Sequence, residues 1–304
     1  MSRRLELSIS PELEGSKVDT ILKKRLGLSG TVVRRIKWWP DGILLDGQRV
    51  QTDARPQVGQ LLSVRLDDLE RRSGIVPAPG PLDLVYEDED LIVVNKAPGV
   101  PVHPGPGHYN DTLGNFLLWH YDLEGDSADF HPVHRLDRGT SGLLVAAKHP
   151  HAQEILKLQL HAEGFRRTYL AVCEGRPEPP SGLISAPLGP KDGSLVEQMV
   201  RPDGKDARTR YETLSRSGGR SLVRLELDTG RTHQIRVHMA SLGCPLTGDF
   251  LYGYEDRSLI SRPALHSAQL SLRQPVTGQE LSFTLPLPED MARLLTHQKG
   301  EKEP

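Results

Sequence analysis

The segment 134–148 constrains the fold of this chain more than any other stretch. Its second half, residues 143–147, is an uninterrupted apolar run of the length typical of a buried β-strand. The first half is a polar, glycine-containing turn in which Asp137 lies close to Arg135 and Arg138. Glycine tolerates positive φ, and opposite charge nearby favours the ionised form of a carboxylate. We therefore expect a buried strand that follows a tight turn, with a carboxylate between two guanidinium groups.

Local sequence leaves the role of Asp137 open, because a salt-bridged surface loop and a reactive carboxylate share this pattern. The chain contains two further motifs, and all three follow one another as residues 134–142 (HRLDRGTSG), 167–171 (RTYLA) and 230–238 (GRTHQIRVH). In these motifs and their order, the chain resembles the RluA-type pseudouridine synthases. The resemblance extends over most of residues 82–285.

The resemblance implies an α+β catalytic domain with a mixed, largely antiparallel sheet, flanking helices and a central cleft. We expect this domain at residues 82–292, followed by a tail at 293–304. A chain of 304 residues is long enough for such a domain and a small one before it. The implied reaction converts uridine in RNA to pseudouridine, which involves no redox change and no net hydrolysis. It therefore requires no cofactor, and we expect no metal.

The resemblance also implies roles for three catalytic residues. Asp137 would act on the sugar, either as a nucleophile or as a base, and the sequence does not choose between the two. Tyr169 would stack on the target uracil and help to remove its C5 proton, although a tyrosine in a strand is more often a packing residue. Arg231 precedes a predicted helix and would pair with Asp137, the alternative being an ion pair with a structural acid.

Two substrate-binding residues are implied in the same way. Arg135 occupies the position that would fill the gap left by the flipped nucleotide. Val237 matches an apolar position that would pack on the base. The uridine has to leave its helix to reach such a pocket, as it does for other enzymes that act on a base.

The first 70 residues predict a small helix–helix–hairpin unit. Residues 17–26 have apolar side chains at helical spacing, and a second short helix is expected at about 31–38. Asp46 and Gly47 form the turn of a predicted hairpin, and a further strand is expected at residues 60–66. This arrangement is similar to an S4-type RNA-binding domain.

The basic face of the second helix is the candidate RNA-binding surface of this unit. We expect it to hold RNA phosphates through Arg34, Arg35 and Lys37. The formal net charge of −2 does not indicate a nucleic-acid binder, so the prediction depends on this local cluster. The alternative is an ordinary solvated helix face.

Composition sets the remaining expectations. Residues 71–81 are rich in proline and glycine and predict a mobile linker. Cys173 and Cys244 lie in apolar surroundings, as core thiols of a reducing compartment do. No signal-peptide pattern or membrane-length apolar run is evident. We expect a cytoplasmic monomer without membrane contact.

The resemblance implies large-subunit ribosomal RNA as the substrate, with transfer RNA as the alternative. A rival function is metal-dependent hydrolysis, since His131, His134 and Asp137 are spaced like ligands, but Pro132 interrupts any helix that would align them. Another rival is an RNA-binding protein without activity. The presence of all three implied catalytic residues disfavours it.

Overall fold

The computed structural model describes residues 2–162 and 164–296, and their strands form three sheets. A four-stranded sheet in the order β1-β4-β2-β3 belongs to the N-terminal unit. The elements of this unit are a 3₁₀ turn at Pro11–Leu13, the helices α1 (Val18–Lys24) and α2 (Gly30–Ile36), and the strands β1 (Arg4–Ser8), β2 (Ile43–Leu45), β3 (Gln48–Arg49) and β4 (Leu61–Arg65).

The predicted elements of the N-terminal unit are confirmed. The hydroxyl of Ser29 caps α2 by accepting a hydrogen bond from the backbone N–H of Val32 at 3.2 Å. Asp46 and Gly47 both have positive φ, as a two-residue hairpin turn between β2 and β3 requires. The buried faces of α1 and α2 form one core with Trp39 and with the inner side of the sheet.

A ten-stranded mixed sheet dominates the rest of the chain. Eight strands follow the order β10-β13-β14-β9-β15-β8-β6-β5, while β16 pairs with β15 and β7 with β8. The strands are β5 (Leu84–Glu87), β6 (Leu91–Lys96), β7 (His131–Pro132), β8 (Ser141–Ala147), β9 (Arg166–Glu174), β10 (Ser181–Ser185), β13 (Arg208–Ser217), β14 (Arg220–Leu227), β15 (Leu265–Arg273) and β16 (Glu280–Thr284). A separate hairpin consists of β11 (Leu188–Pro190) and β12 (Gln198–Val200).

Antiparallel pairing prevails in the large sheet, and β8 and β15 pair in parallel. The expectation of a mixed, largely antiparallel sheet is therefore confirmed. The accompanying helices are α3 (Leu113–Leu123), α4 (Pro150–Leu160), α5 (Gln234–Ser241) and α6 (Glu289–Thr296). None of the helices in the described ranges has the length and apolarity needed to cross a membrane.

The predicted buried strand is β8, at the centre of the large sheet. All seven of its residues are buried, and successive side chains pack alternately into two different cores. Gly142 has a φ of 107°, and a Cβ there would lie 2.3 Å from the carbonyl oxygen of Ser267. Glycine is thus required for the close approach of β8 to β15, and this contact fixes the turn that carries Asp137.

The segment at residues 71–81 lies against the catalytic unit, which corrects the prediction of a mobile linker. Asp129 accepts hydrogen bonds from the backbone N–H groups of Arg72 (2.7 Å) and Ser73 (2.8 Å). The side-chain amide of Asn115 donates to the carbonyl of Val76 at 2.7 Å. These partners come from distant parts of the chain, so the composition of the segment could not reveal them.

Two ion-pair networks join the N-terminal unit to the large sheet. Arg3, just before β1, donates to the buried carboxylate of Asp90 at 2.7 and 3.0 Å. The same carboxylate is also hydrogen-bonded to the side chains of His149 and Gln274. In the second network, the buried carboxylate of Asp68 pairs with Arg35 of α2 and with His131 of β7. These contacts connect the N-terminal unit to the catalytic sheet.

We predict that Asp90→Asn lowers the free energy of unfolding by about 3 kcal/mol, because it removes one partner from a buried ion pair. Burial alone would raise the pKa of Asp90, but hydrogen bonds from His149, Arg3 and Gln274 hold it well below its ordinary value. A depressed pKa stabilises the protein at neutral pH, and this contribution is lost as the pH falls below about 4.

Urea denaturation from pH 7 to pH 3 measures the effect of Asp90→Asn. The difference from wild type should shrink as the pH is lowered. Asp53→Asn, at an exposed carboxylate, is the matched control and should change stability by less than about 0.5 kcal/mol. Equal stability of Asp90→Asn and wild type at pH 7 would show that the network does not join the two units.

The predicted C-terminal tail begins at residue 293, but residues 293–296 belong to α6. Residues 297–304 lie outside the described residues. Met291 and Leu294 of α6 pack with Val172, Ile260 and Ala264, so the helix closes one side of the catalytic sheet.

Candidate active site

A cavity of about 330 Å³ opens where β8 begins, beside β9 and β15. Three segments provide most of its lining: residues 133–137, residues 227–236, and the start of β9 at Arg167 and Tyr169. The three sequence motifs thus meet in one place. Four of the predicted site residues lie in its wall, namely Arg135, Asp137, Tyr169 and Arg231.

Asp137 sits in the turn before β8, where the backbone N–H of Thr140 donates to its carbonyl at 3.0 Å. Its side chain is 20% exposed, so the carboxylate is accessible from the cavity while its backbone is fixed. The neighbouring Leu136 is buried in the main core and anchors the turn. A carboxylate held in this way can contact a substrate in the cavity without a change in the backbone.

Lys96, at the end of β6, contacts the turn that carries Asp137. Its side chain is buried, and the ammonium nitrogen donates to the carbonyls of Ala97 (2.8 Å), Val100 (2.9 Å) and Arg138 (3.3 Å). Burial lowers the pKa of Lys96 to about 7, while the Asp137 carboxylate acts in the opposite direction. Lys96 therefore ties the end of β6 to the residue that follows Asp137.

We expect Lys96→Met to lower the free energy of unfolding by about 1–3 kcal/mol, since buried carbonyls lose their donor. It should also lower kcat, because the Arg138 carbonyl adjoins Asp137. Urea denaturation and turnover of the same preparation measure both effects, with the exposed Lys157→Met as control. Unchanged stability together with unchanged kcat would contradict a supporting role.

The guanidinium that faces Asp137 belongs to Arg236, in the first turn of α5. Its Nη1 lies 3.8 Å from Oδ2 of Asp137. Its Nε and Nη2 each donate to the fully buried carboxylate of Asp249 at 2.7 Å. The guanidinium also lies over the rings of Tyr252 (5.0 Å) and Phe250 (5.8 Å). Asp249 and these rings hold the group rigidly, so that one edge is presented to Asp137.

The predicted ion pair between Arg231 and Asp137 is therefore corrected. Arg231 is exposed at the cavity mouth, and its Nε donates to the carbonyl of Asp206 at 2.9 Å. Its backbone N–H is bound by the side chain of Gln234, so residues 229–233 form a turn and α5 begins at Gln234. Arg231 thus precedes the helix, whereas Arg236 lies on its buried face.

Sequence reasoning missed Arg236, although it stands in the same motif. The available signal was an arginine beside Ile235, in a segment whose neighbours are apolar and buried. A buried arginine needs a carboxylate partner. Asp249 lies thirteen residues later and was not singled out as that partner.

Tyr169 lies in β9, and its ring is 4% exposed within the main core and at the cavity wall. Burial raises the pKa of Tyr169, and the nearby Arg167 guanidinium opposes this shift. The phenol is therefore protonated at neutral pH. Tyr169 thus lines the same cavity as Asp137.

Val237 does not line this cavity. It packs with Leu188 and Ala207 on another side of α5, and the cavity wall receives Ile235 and Leu265 as apolar residues. Residues two positions apart in a helix point in nearly opposite directions, because each adds about 100° of rotation. The predicted contact of Val237 with the base is thus corrected by its place on the helix.

The basic residues of the N-terminal unit differ in their surroundings. Arg35 pairs with Asp68 and lies over Trp39 at 5.6 Å, so its charge is used within the protein, which corrects its prediction as a phosphate ligand. Arg34 is exposed and donates to Thr31 at 3.2 Å. Lys37 lies over the exposed ring of Trp38 at 4.8 Å. The last two side chains remain accessible to an RNA.

The histidines of the hydrolase alternative point to different partners. His131 pairs with Asp68 at 2.6 Å, while buried His134 accepts the backbone N–H of Val145 at 3.4 Å. Burial lowers the pKa of His134 to about 3. No cluster of three or more histidine, cysteine or acidic residues suited to a metal occurs within residues 2–162 and 164–296.

Comparison with known proteins identifies the family. Residues 90–241, which include Asp137, Tyr169 and Arg236, match the family described as RNA pseudouridylate synthase. The chain is 39% identical over 276 residues to the uncharacterized RNA pseudouridine synthase YjbO of Bacillus subtilis, covering 91% of this chain and 96% of that protein. It is 36% identical over 306 residues to the ribosomal large subunit pseudouridine synthase D of Neisseria meningitidis, covering 96% and 81%.

Two solved structures agree with this match. Human RNA pseudouridylate synthase domain containing 4 superposes with a TM-score of 0.56 at 26% identity, over 69% of this chain and 90% of that one. Human RNA pseudouridylate synthase domain containing 1 gives a TM-score of 0.57 at 27% identity, over 68% and 85%. The chain therefore belongs to the RluA-type family of RNA pseudouridine synthases, which are isomerases.

Proposed function

We propose that this pseudouridine synthase modifies specific uridines in large-subunit ribosomal RNA, with Asp137 as the residue that acts on the sugar. The observation that carries the proposal is the accessible Asp137 carboxylate, 3.8 Å from a rigidly held Arg236, in a cavity that Tyr169 also lines. The substrate class is supported by similarity to a ribosomal large subunit pseudouridine synthase along nearly the whole chain.

The reaction breaks the C1′–N1 bond of uridine, rotates the base and joins C1′ to C5. Asp137 either attacks C1′ as a nucleophile or removes a proton from the sugar. Arg236 orients the Asp137 carboxylate, and its positive charge favours the ionised form of that carboxylate. Tyr169, which lines the same cavity, stacks its ring on the uracil and assists the loss of the C5 proton.

A flipped nucleotide has to be held in the cavity for this to occur. Extruding a base costs a few kcal/mol, and contacts with the enzyme have to offset that cost. Arg135 is exposed at the cavity mouth, where its guanidinium can occupy the space that the uridine leaves. Arg231, also exposed there, is suited to a backbone phosphate.

The N-terminal unit is proposed to be an S4-like RNA-binding domain. Its accessible cations are Arg34 and Lys37, and Trp38, which is 69% exposed, offers a stacking surface beside Lys37. Cations and an exposed aromatic ring are the side chains on which single-stranded and looped RNA is bound. Binding through phosphates should weaken steeply as salt is added.

A pseudouridine map of total RNA, made from cells with and without the gene, tests the proposed substrate. Loss of signal at one or a few large-subunit positions, restored by the wild-type gene, is the expected result. Loss of pseudouridine signal in transfer RNA alone would show that transfer RNA is the substrate, while the proposed reaction would stand. A map that is identical with and without the gene would overturn the proposal.

A further inference from the structure

His233 has an unusual backbone conformation directly before α5. Its φ is 57° and its ψ is 17°, in the left-handed region, where non-glycine residues are uncommon. Such residues cluster at functional sites, because the surrounding structure has to hold them there. The His233 side chain is half-buried and lines the cavity that contains Asp137.

Hydrogen bonds around Tyr252 determine which nitrogen of His233 carries the proton. The hydroxyl of Tyr252 accepts the backbone N–H of Gln198 at 2.8 Å and lies 2.8 Å from Nδ1 of His233. Within the described ranges, these two groups are the hydrogen-bond partners of the hydroxyl. This arrangement favours donation of its one proton to Nδ1, and a neutral imidazole then carries its own proton on Nε2.

The charges around His233 are consistent with a neutral ring. Burial lowers the pKa of His233; Asp137 and Asp249 act against that shift, while Arg236 and Arg135 add to it. Burial raises the pKa of Tyr252, so its hydroxyl keeps the proton that it donates. In this arrangement the Tyr252 hydroxyl donates to Nδ1 of His233, and the Nε2–H group lies on the opposite side of the ring.

We propose that Nε2–H of His233 donates a hydrogen bond to a carbonyl oxygen of the target uracil as the C1′–N1 bond breaks. In the part of the chain that the structure describes, Nε2 has no hydrogen-bond partner, and it is not among the buried polar atoms left unpaired. Nε2 is therefore accessible, on a side chain that lines the cavity. This inference rests on the proposed function, because it names a second group acting on the same uridine.

The chemistry of the step balances without a proton transfer at His233. The electron pair of the C1′–N1 bond leaves with the uracil and spreads over N1, O2 and O4. A preorganised donor at one of these oxygens stabilises the developing negative charge. Asp137 acts at the sugar and is released when C5 bonds to C1′. The C5 proton then passes to water and N1 takes up one proton in exchange, so the reaction is an isomerisation with no net change in protons, and His233 keeps its own proton throughout.

Tyr252 is a positioning residue in this proposal. It fixes the tautomer of His233 through its hydroxyl and packs its ring against the Arg236 guanidinium at 5.0 Å. One side chain thereby orients two groups of the cavity, neither of which has to reorganise during the reaction.

Two substitutions of His233 distinguish loss of the Nε2–H donor from disturbance of the left-handed backbone. Asn tolerates the left-handed conformation, but its amide reaches only the place of Nδ1, whereas the longer Gln can place its amide where Nε2 lies. We expect His233→Asn to lower kcat by about 100-fold with little change in KM, as for loss of one donor to developing charge. His233→Gln should recover part of that loss. His108→Asn, outside the cavity, is the control and should keep the wild-type kcat.

Sulfur substitution in the substrate identifies the acceptor. Replacing O2 or O4 of the target uridine by sulfur weakens it as an acceptor, so one of the two should slow the wild-type enzyme. In His233→Asn the same substitution should cause no further loss. Tyr252→Phe should weaken this discrimination while His233 is still present, which a merely structural tyrosine would not do.

The outcomes are distinguishable from failure of the proposed function. Wild-type protein that forms no pseudouridine in any RNA would overturn the function itself. Wild-type activity combined with an unchanged kcat in His233→Asn, or with equal sulfur effects in wild type and His233→Asn, would overturn the role of His233 alone.

Discussion

Replacing Asp137 by Asn is expected to reduce pseudouridine formation by about 10⁴-fold or more, the scale of losing a principal catalytic group. Asn has the same shape but can neither attack C1′ nor take a proton from the sugar. Because Asp137 is not part of the main core, the variant should fold and bind RNA with wild-type affinity. Single-turnover rates and filter binding on the same RNA measure the two properties.

The matched control for Asp137→Asn is Asp53→Asn, at an exposed carboxylate that does not line the cavity. It should retain both the rate and the affinity of wild type. A residual rate within tenfold of wild type for Asp137→Asn would mean that another group acts on the sugar.

Substitution of Arg236 is expected to have the second largest effect, and Arg231 is its natural comparison. Arg236→Lys keeps the charge but loses the fork that binds Asp249 and faces Asp137 together. We expect it to lower kcat by about 10²–10³-fold, as for loss of one preorganised electrostatic contact. Arg231→Ala should lower kcat by less than about 10-fold, since we propose that it binds RNA phosphate at the exposed mouth of the cavity.

Stability has to be measured alongside these rates. Removing the charge altogether, as in Arg236→Met, leaves the Asp249 carboxylate buried without its partner and should cost about 3–5 kcal/mol. Arg236→Lys is therefore the better kinetic probe, and its urea midpoint shows whether enough folded protein remains. A greater kcat loss in Arg231→Ala than in Arg236→Lys would contradict the assignment.

The sequence was informative where one segment contains all of the determinants. The apolar run in β8 predicts a buried strand, and the glycines and hydroxyl residues before it predict the tight turn that carries Asp137, because these signals lie within one segment. Ser29 as a cap and Asp46-Gly47 as a hairpin turn are local in the same sense. The three motifs also bring Asp137 and Tyr169 to the same cavity.

Errors arose where distant contacts decide the structure. Two features decide between Arg231 and Arg236. The left-handed residue His233 makes α5 begin at Gln234, so that Arg231 lies before the helix, and Asp249 binds the buried guanidinium of Arg236. Arg35 is paired by Asp68, a residue outside its own helix. The segment at 71–81 has the composition of a linker, but the carboxylate of Asp129 and the amide of Asn115 fix it in place.

The central claim is that the carboxylate of residue 137 performs the chemistry in a cavity shared with Arg236. Digestion of the treated RNA to nucleosides, followed by mass spectrometry, tests it most directly. Wild-type protein should convert its target uridine to pseudouridine nearly completely, without any added cofactor, and Asp137→Asn should leave the pseudouridine content at background. Equal conversion by the two proteins would contradict the account.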